Sequence, residues 1–202
     1  MAPEIRHVDR RRWTLIMPQL PTRNSAARTE PHRWLELPVE RLEVSGERES
    51  IVLPSGPTTV ALDDDGVLWF TLGDANAIGR INPDGSDYCE YPIPTPASSP
   101  RIIALGADGN MWFSEHNAGQ IGRITPDGRI SEFALSSRDS QPRAIALAAD
   151  GNIWIGLFAA GRLARITPAG ELTEFDLPTA NAGPRLLLDS IGQRGGVELA
   201  TQ

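Results

Sequence analysis

The chain has 202 residues, of which 40% are hydrophobic and 22% charged, as is usual for a globular protein of one or two domains. Its formal net charge of −7 argues against nucleic-acid binding, because the negative phosphate backbone of a nucleic acid attracts positively charged proteins and repels negatively charged ones. No apolar run approaches the ~18 residues of a membrane helix, and the run at 13–17 is shorter than the ~7 residues of a signal-peptide core. These observations predict a cytoplasmic protein with neither membrane nor nucleic-acid partners.

Four kinds of marker recur along the chain at a spacing of 42 or 43 residues. They are Trp69, Trp112 and Trp154; Pro57, Pro100, Pro142 and Pro184; Gly66, Gly109 and Gly151; and Gly85, Gly128 and Gly170. Because all four keep one register, the chain contains an internal repeat of about 42 residues. Its 17 prolines and 19 glycines suit a fold with many tight turns.

The middle repeat shows what one unit contains. Its apolar runs are 102–105, 111–113, 120–124 and 130–135. Turns at 108–110 and 126–128 contain Asp, Asn, Pro and Gly, which suit the backbone angles of hairpin turns. Four short strands with three tight connections in about 42 residues is the pattern of a β-propeller blade. The sequence therefore predicts an all-β fold, an incomplete propeller with three full four-stranded blades and a partial blade at each end.

The register of the repeat sets the predicted boundaries. They are an irregular N-terminal segment at 1–33, a partial blade at 34–55, full blades at 56–98, 99–140 and 141–182, repeats ending near 188, and an irregular tail at 189–202. The three full blades are called blade I, blade II and blade III below. We expect the repeated tryptophans to pack between adjacent blades, where a large ring fills the wedge between two twisted sheets.

Blade II contains three characteristic segments: 107–115 (ADGNMWFSE), 121–128 (IGRITPDG) and the pair Glu132-Phe133. On these segments, residues 34 to about 188 resemble the virginiamycin B lyase family, the streptogramin lyases. This resemblance implies a complete seven-bladed propeller that binds Mg²⁺ and opens a macrocyclic ester antibiotic by β-elimination, without water. A general base would remove the proton α to the ester carbonyl, and the metal would stabilise the enolate.

The resemblance also implies where the base and the metal ligands belong. The base is a His directly after the Pro that opens a late blade, and a Glu just before that Pro is a metal ligand. The only Glu-Pro-His triplet makes Glu30 a candidate metal ligand and His32 a candidate catalytic base. The triplet lies 26 residues before Pro57, where a blade needs about 42, so a chance match is the alternative.

A second acid of the implied metal site follows a Trp-Phe pair. Here Glu115 and His116 come after Trp112-Phe113 and are candidate metal ligands. One acid and one imidazole from a single loop hold a metal only if further ligands join them. The alternative is a solvated loop.

Arginines follow the blade-opening proline in three consecutive repeats, as Arg101, Arg143 and Arg185. Arginine stays protonated, so none of them is a base at neutral pH. We expect blade-opening residues at the mouth of the central channel, where converging guanidinium groups would bind a carboxylate or phosphate. The alternative is local ion pairing, for instance of Arg101 with Glu115.

Two functional hypotheses follow. The first is a lyase-like protein, by resemblance a Mg-dependent carbon–oxygen lyase of streptogramin B antibiotics, here truncated and catalytically impaired. The second is a non-catalytic propeller that binds a small molecule, an anion or a protein and completes its ring by self-association. Open blade faces favour association because they expose apolar surface and unpaired strand edges.

Overall fold

The computed structural model describes the backbone of residues 38–42, 48–52, 57–179, 182–187 and 198–200, and the side chains of 57–179 and 182–184. The strands in these residues are β1 (Pro38–Leu42), β2 (Arg48–Val52), β3 (Val60–Leu62), β4 (Leu68–Leu72), β5 (Ala77–Ile81), β6 (Cys89–Pro92), β7 (Pro100–Leu105), β8 (Met111–Glu115), β9 (Gln120–Ile124), β10 (Ile130–Ala134), β11 (Pro142–Leu147), β12 (Ile153–Leu157), β13 (Arg162–Ile166), β14 (Leu172–Asp176), β15 (Arg185–Leu187) and β16 (Glu198–Ala200). A 3₁₀ turn, Arg138–Ser140, joins β10 to β11. No helix in the described part of the chain is long and apolar enough to cross a membrane.

The chain divides into two compact units, 1–56 and 57–202. In the first unit β1 and β2 form an antiparallel hairpin, within the segment predicted as a partial blade. The predicted irregular segment 1–33 lies outside the described residues.

Blades I, II and III are each a four-stranded antiparallel sheet with its strands in chain order: β3–β6, β7–β10 and β11–β14. The four apolar runs of the middle repeat coincide with β7 to β10, and the predicted fold class is confirmed. The first strands of successive blades contact one another, β3 with β7, β7 with β11 and β11 with β15. They therefore form the inner edge of this unit, where the blade-opening residues lie.

Positive φ angles at glycine make the predicted turns possible. Gly109 has φ +73° and Gly128 has φ +88°, and their N–H groups donate to Gly106 and Thr125 at 3.1 and 2.8 Å. A side chain with a Cβ is strained in this conformation, which glycine adopts at little cost. The repeated glycines thus mark the hairpins that divide each blade into strands.

The hydrophobic core lies between the blades. Trp69 is 1% exposed and packs with Ile103, Met111 and Phe113 of blade II. Trp112 is fully buried and packs with residues of blade III in the same way. The predicted packing role is confirmed for both rings, whereas Trp154 of blade III is only half-buried.

The tail predicted to be irregular contains one strand. Residues Glu198–Ala200 form β16, which pairs antiparallel with β15. A strand edge has unpaired N–H and C=O groups, and pairing with a second segment satisfies them. The repeat alone did not indicate this segment because no blade marker falls within it.

Candidate functional site

The signature residues of blade II form a layered stack. The Trp112 and Phe133 rings stack with centroids 5.5 Å apart, and the Arg123 guanidinium carbon lies 5.4 Å from each centroid. Blade III repeats the stacked pair with Trp154 and Phe175, also 5.5 Å apart. Aromatic and cation–π contacts of this kind stabilise packing. These residues of the pattern therefore support the fold of each blade.

In blades II and III a glutamate on the fourth strand forms a hydrogen bond to the segment that ends the preceding blade. Glu132 accepts a hydrogen bond from the backbone N–H of Thr95 at 2.9 Å. Glu174, in the same register of blade III, accepts from the N–H of Ser136 at 2.6 Å and is paired with Arg162 at 3.1 Å. The Glu-Phe pair of the repeat thus contributes a hydrogen bond between blades, through its Glu, and a stacked ring, through its Phe.

Glu115 ends β8 and is fully buried. Alternation along the strand puts it on the same face as Phe113, which packs against blade I. Neither of its carboxyl oxygens has a hydrogen-bond partner in the described part of the chain. Gln120, opposite it on β9, also has a buried Oε1 without a partner. Both groups are therefore polar side chains enclosed between blades I and II.

The surroundings of Glu115 favour its uncharged form. Burial raises the pKa of Glu115 from 4.5 to about 8, the neighbouring negative charge of Glu132 adds to this effect, and the Ser98 side chain opposes it. A carboxyl group with this pKa is mainly protonated at neutral pH.

His116 directly follows Glu115 at the end of β8 and is 5% exposed. Its backbone N–H donates to the Ser99 carbonyl at 3.2 Å, and its Nδ1 is buried with no partner in the described residues. Burial lowers the pKa of His116, and the positive charges of Arg101 and Arg143 lower it further. The imidazole is therefore neutral at neutral pH and lies within the field of both arginines. The alternative of a solvated loop is wrong for Glu115 and His116.

The structure brings together two of the three predicted anion-binding arginines, on neighbouring first strands. Arg101 and Arg143 are half-buried, and neither forms an ion pair with an acid in the described part of the chain. The alternative pairing of Arg101 with Glu115 is therefore not present. The side chain of Arg185 lies outside the described residues.

Two of the predicted metal ligands, Glu115 and His116, lie in the described blades. Mg²⁺ prefers several oxygen ligands, which are usually charged carboxylates. Here burial raises the pKa of Glu115, which disfavours its charged form, and one oxygen of Glu132 already accepts from Thr95. No group of three or more His, Cys, Asp or Glu side chains among the described residues is placed to hold a metal ion. Glu30 and His32 lie outside the described residues.

Sequence reasoning missed the polar groups around Glu115. Gln120 lies opposite Glu115 on the neighbouring strand, and the charge of Glu132 acts on its carboxyl group. Ser98, which also acts on this carboxyl group, comes from the connection between blades I and II. A signal was available for Glu132, because Glu90 and Glu174 recur in the same register. Gln120 has no such signal, since the equivalent positions are Ala77 and Arg162.

The fold and the inner edge of these blades define an antiparallel β-propeller protein. The sequence pattern of the virginiamycin B lyase family matches residues 37–198, and the chain belongs to this family.

Solved structures agree with this assignment. Virginiamycin B lyase from Staphylococcus aureus is 37% identical with a TM-score of 0.68, over 73% of this chain and 51% of that protein. A catalytically inactive variant of the same enzyme, solved with quinupristin, is 37% identical with a TM-score of 0.69, over 74% of this chain and 52% of that protein. A virginiamycin B lyase from Bordetella pertussis is 54% identical over 35 residues, 17% of this chain and 11% of that protein. The chain thus spans about half the length of these solved relatives.

Proposed function

We propose that this chain is a ligand-binding part of a streptogramin-lyase-type propeller, and that blades I to III do not supply the base and metal ligands of a lyase. The ligand is held at the inner edge, where the blade-opening residues lie. The chain spans about half the length of its solved relatives, so ring closure by further blades, from this or another chain, is part of the proposal.

The observation that carries the proposal is the kind of side chain that directly follows the blade-opening proline. The resemblance implies a His after a blade-opening Pro, and blades II and III have the guanidinium groups of Arg101 and Arg143 there. A general base must accept a proton, which a guanidinium does not do at neutral pH. The acid expected after the Trp-Phe pair is present as Glu115, but it is buried and protonated.

Magnesium binding tests the proposal. We expect calorimetric titration of Mg²⁺ into the purified chain to give the same binding curve for the wild type and for Glu115→Gln. Glu115→Gln keeps the shape of the side chain and removes its ability to ionise. A magnesium affinity that falls ~10-fold or more in Glu115→Gln but not in the exposed control Asp127→Asn would contradict the proposal.

A second candidate is the lyase reaction itself, with His116 as the base. It is favoured by the neutral state of this imidazole and by its unpartnered Nδ1, which is free to accept a proton. Arg101 and Arg143 would then stabilise the negative charge of the enolate. Under this candidate, His116→Gln abolishes ring opening of a streptogramin B antibiotic.

A further inference from the structure

The first strands of blades II and III are both irregular at the blade-opening arginine. In blade II Pro100 pairs with Glu115 and Ile103 with Phe113, which leaves one extra residue on β7. In blade III Pro142 pairs with Leu157 and Ala144 with Gly156, so that Arg143 is the extra residue. A β-bulge re-aims the side chains beside it, and bulges are frequent next to binding sites.

Two threonines of the preceding blade fix the backbone of Arg101. Its carbonyl oxygen accepts hydrogen bonds from Thr59 Oγ1 at 2.6 Å and from Thr71 Oγ1 at 2.8 Å. The N–H of Ile103 donates to Thr59 Oγ1 at 3.2 Å on the other side of the bulge. These bonds hold the bulged segment in one position, and a positioned cation loses less conformational entropy on binding than a free surface side chain.

Neither arginine is neutralised by an acid in the described residues. The Arg143 guanidinium lies 4.3 Å from the centre of the Phe158 ring, and its buried Nε has no hydrogen-bond partner there. Arg162 of blade III shows the contrast, because it is paired with both Glu174 and Asp176. Blades II and III thus have two positive charges at their inner edge that no acid compensates among the described residues.

His116 lies beside both arginines. The positive charges of Arg101 and Arg143 act on its imidazole, which also has a hydrogen bond to the Pro142 carbonyl, and its buried Nδ1 has no hydrogen-bond partner among the described residues. Its backbone N–H is tied to Ser99 at 3.2 Å, directly before the proline that opens blade II. An unpartnered nitrogen this deeply buried is costly unless a group from outside bonds to it, and an oxyanion bonds to it in the tautomer that has the hydrogen on Nδ1.

We propose that Arg101, Arg143 and His116 form a binding site for a small oxyanion, a carboxylate or a phosphate. Guanidinium groups bind both kinds of oxyanion through paired N–H donors, and the anion supplies the negative charge that this cluster lacks. The inference rests on the proposed binding role of the chain and gives the class of ligand.

The test is calorimetric titration with inorganic phosphate, and separately with citrate, at constant ionic strength. We expect Arg101→Gln and Arg143→Gln each to weaken binding about 10-fold or more, since a hydrogen bond to a charged group is worth ~1.5–3 kcal/mol. Arg129→Gln removes the same charge from an exposed position of blade II and leaves the affinity unchanged. Arg101→Lys and Arg143→Lys keep the charge and the fold but lose the paired donors, and we expect intermediate affinities.

Three results would overturn the inference: no binding of either anion to the wild type, the same affinity in the wild type and both Gln variants, or an equal loss in Arg129→Gln. Preference for phosphate or for citrate would identify the source of the oxyanion. None of these outcomes depends on magnesium or on ring opening. A failure of this inference therefore leaves the proposal about the missing base and metal ligands unaffected, and the reverse also holds.

Discussion

A carboxyl group without a hydrogen-bond partner is costly in a protein interior, and Glu115 avoids the larger cost of a buried charge by staying protonated. The sequence indicated that an acid follows the Trp-Phe pair of blade II. It did not indicate burial, because the enclosing Ser98 and Glu132 lie in other segments and meet Glu115 only after the blades pack.

The raised pKa of Glu115 makes stability depend on pH. Between 4.5 and about 8 the unfolded chain releases a proton that the folded chain retains. The free energy of unfolding therefore falls as the pH rises through this range and levels off above it, with a slope of at most ~1.4 kcal/mol per pH unit from this group. Glu132 is the other carboxylate that faces this site, and its charge is part of the cause.

Urea denaturation from about pH 5 to about pH 9 measures this contribution. We expect the stability of Glu115→Gln relative to the wild type to increase with pH across this range, because glutamine does not ionise. Parallel curves for the two proteins would show that Glu115 has an ordinary pKa.

At the scale of the strands, the repeat predicted β7 to β10 because turn glycines separate the apolar runs. It did not predict the bulges at Arg101 and Arg143, since a bulge depends on the register with the next strand. Nor did it predict the two threonine bonds to Arg101, which come from the preceding blade. Local signals thus located the elements, and contacts between blades decided the details of the candidate site.

The second and third strands of each blade show a matched pair of residues. In blade II Phe113 faces Gly122, where an added Cβ would lie 2.1 Å from the ring. In blade III the same positions hold Ile155 and Ala164. The smaller Ile side chain leaves room for a methyl group, so the two positions vary together between blades.

We expect Gly122→Ala to destabilise the chain by ~1–3 kcal/mol, because the methyl group overpacks the core beneath the ring. Adding Phe113→Ile should recover part of this loss, with a coupling energy of ~0.5–3 kcal/mol between the two substitutions. Urea denaturation of the wild type, both single variants and the double variant gives this coupling. Strictly additive effects would mean that ring and methyl group do not compete for space.

For the whole molecule, the match to the lyase family rests largely on residues that build blades. Trp112, Arg123 and Phe133 stack, Glu132 clasps the preceding blade, and Gly128 forms a turn. A chain can therefore keep this pattern and the propeller fold while the residues at the inner edge change. This separation explains why the sequence predicted fold and family well and the chemistry of the site only in part.

The most direct test of this account is ring opening of a streptogramin B antibiotic by the purified chain, with and without Mg²⁺. Elimination without water leaves the mass unchanged, so chromatographic retention distinguishes the linear product from the intact ring, and the Staphylococcus aureus enzyme is the positive control. We predict no linear product above the buffer background, because Thr58, Arg101 and Arg143 follow the blade-opening prolines of blades I to III, and none of them is a base at neutral pH. Loss of a general base costs ~10²–10⁴-fold. Linear product that increases with the concentration of the chain, and that disappears in His116→Gln, would contradict the account.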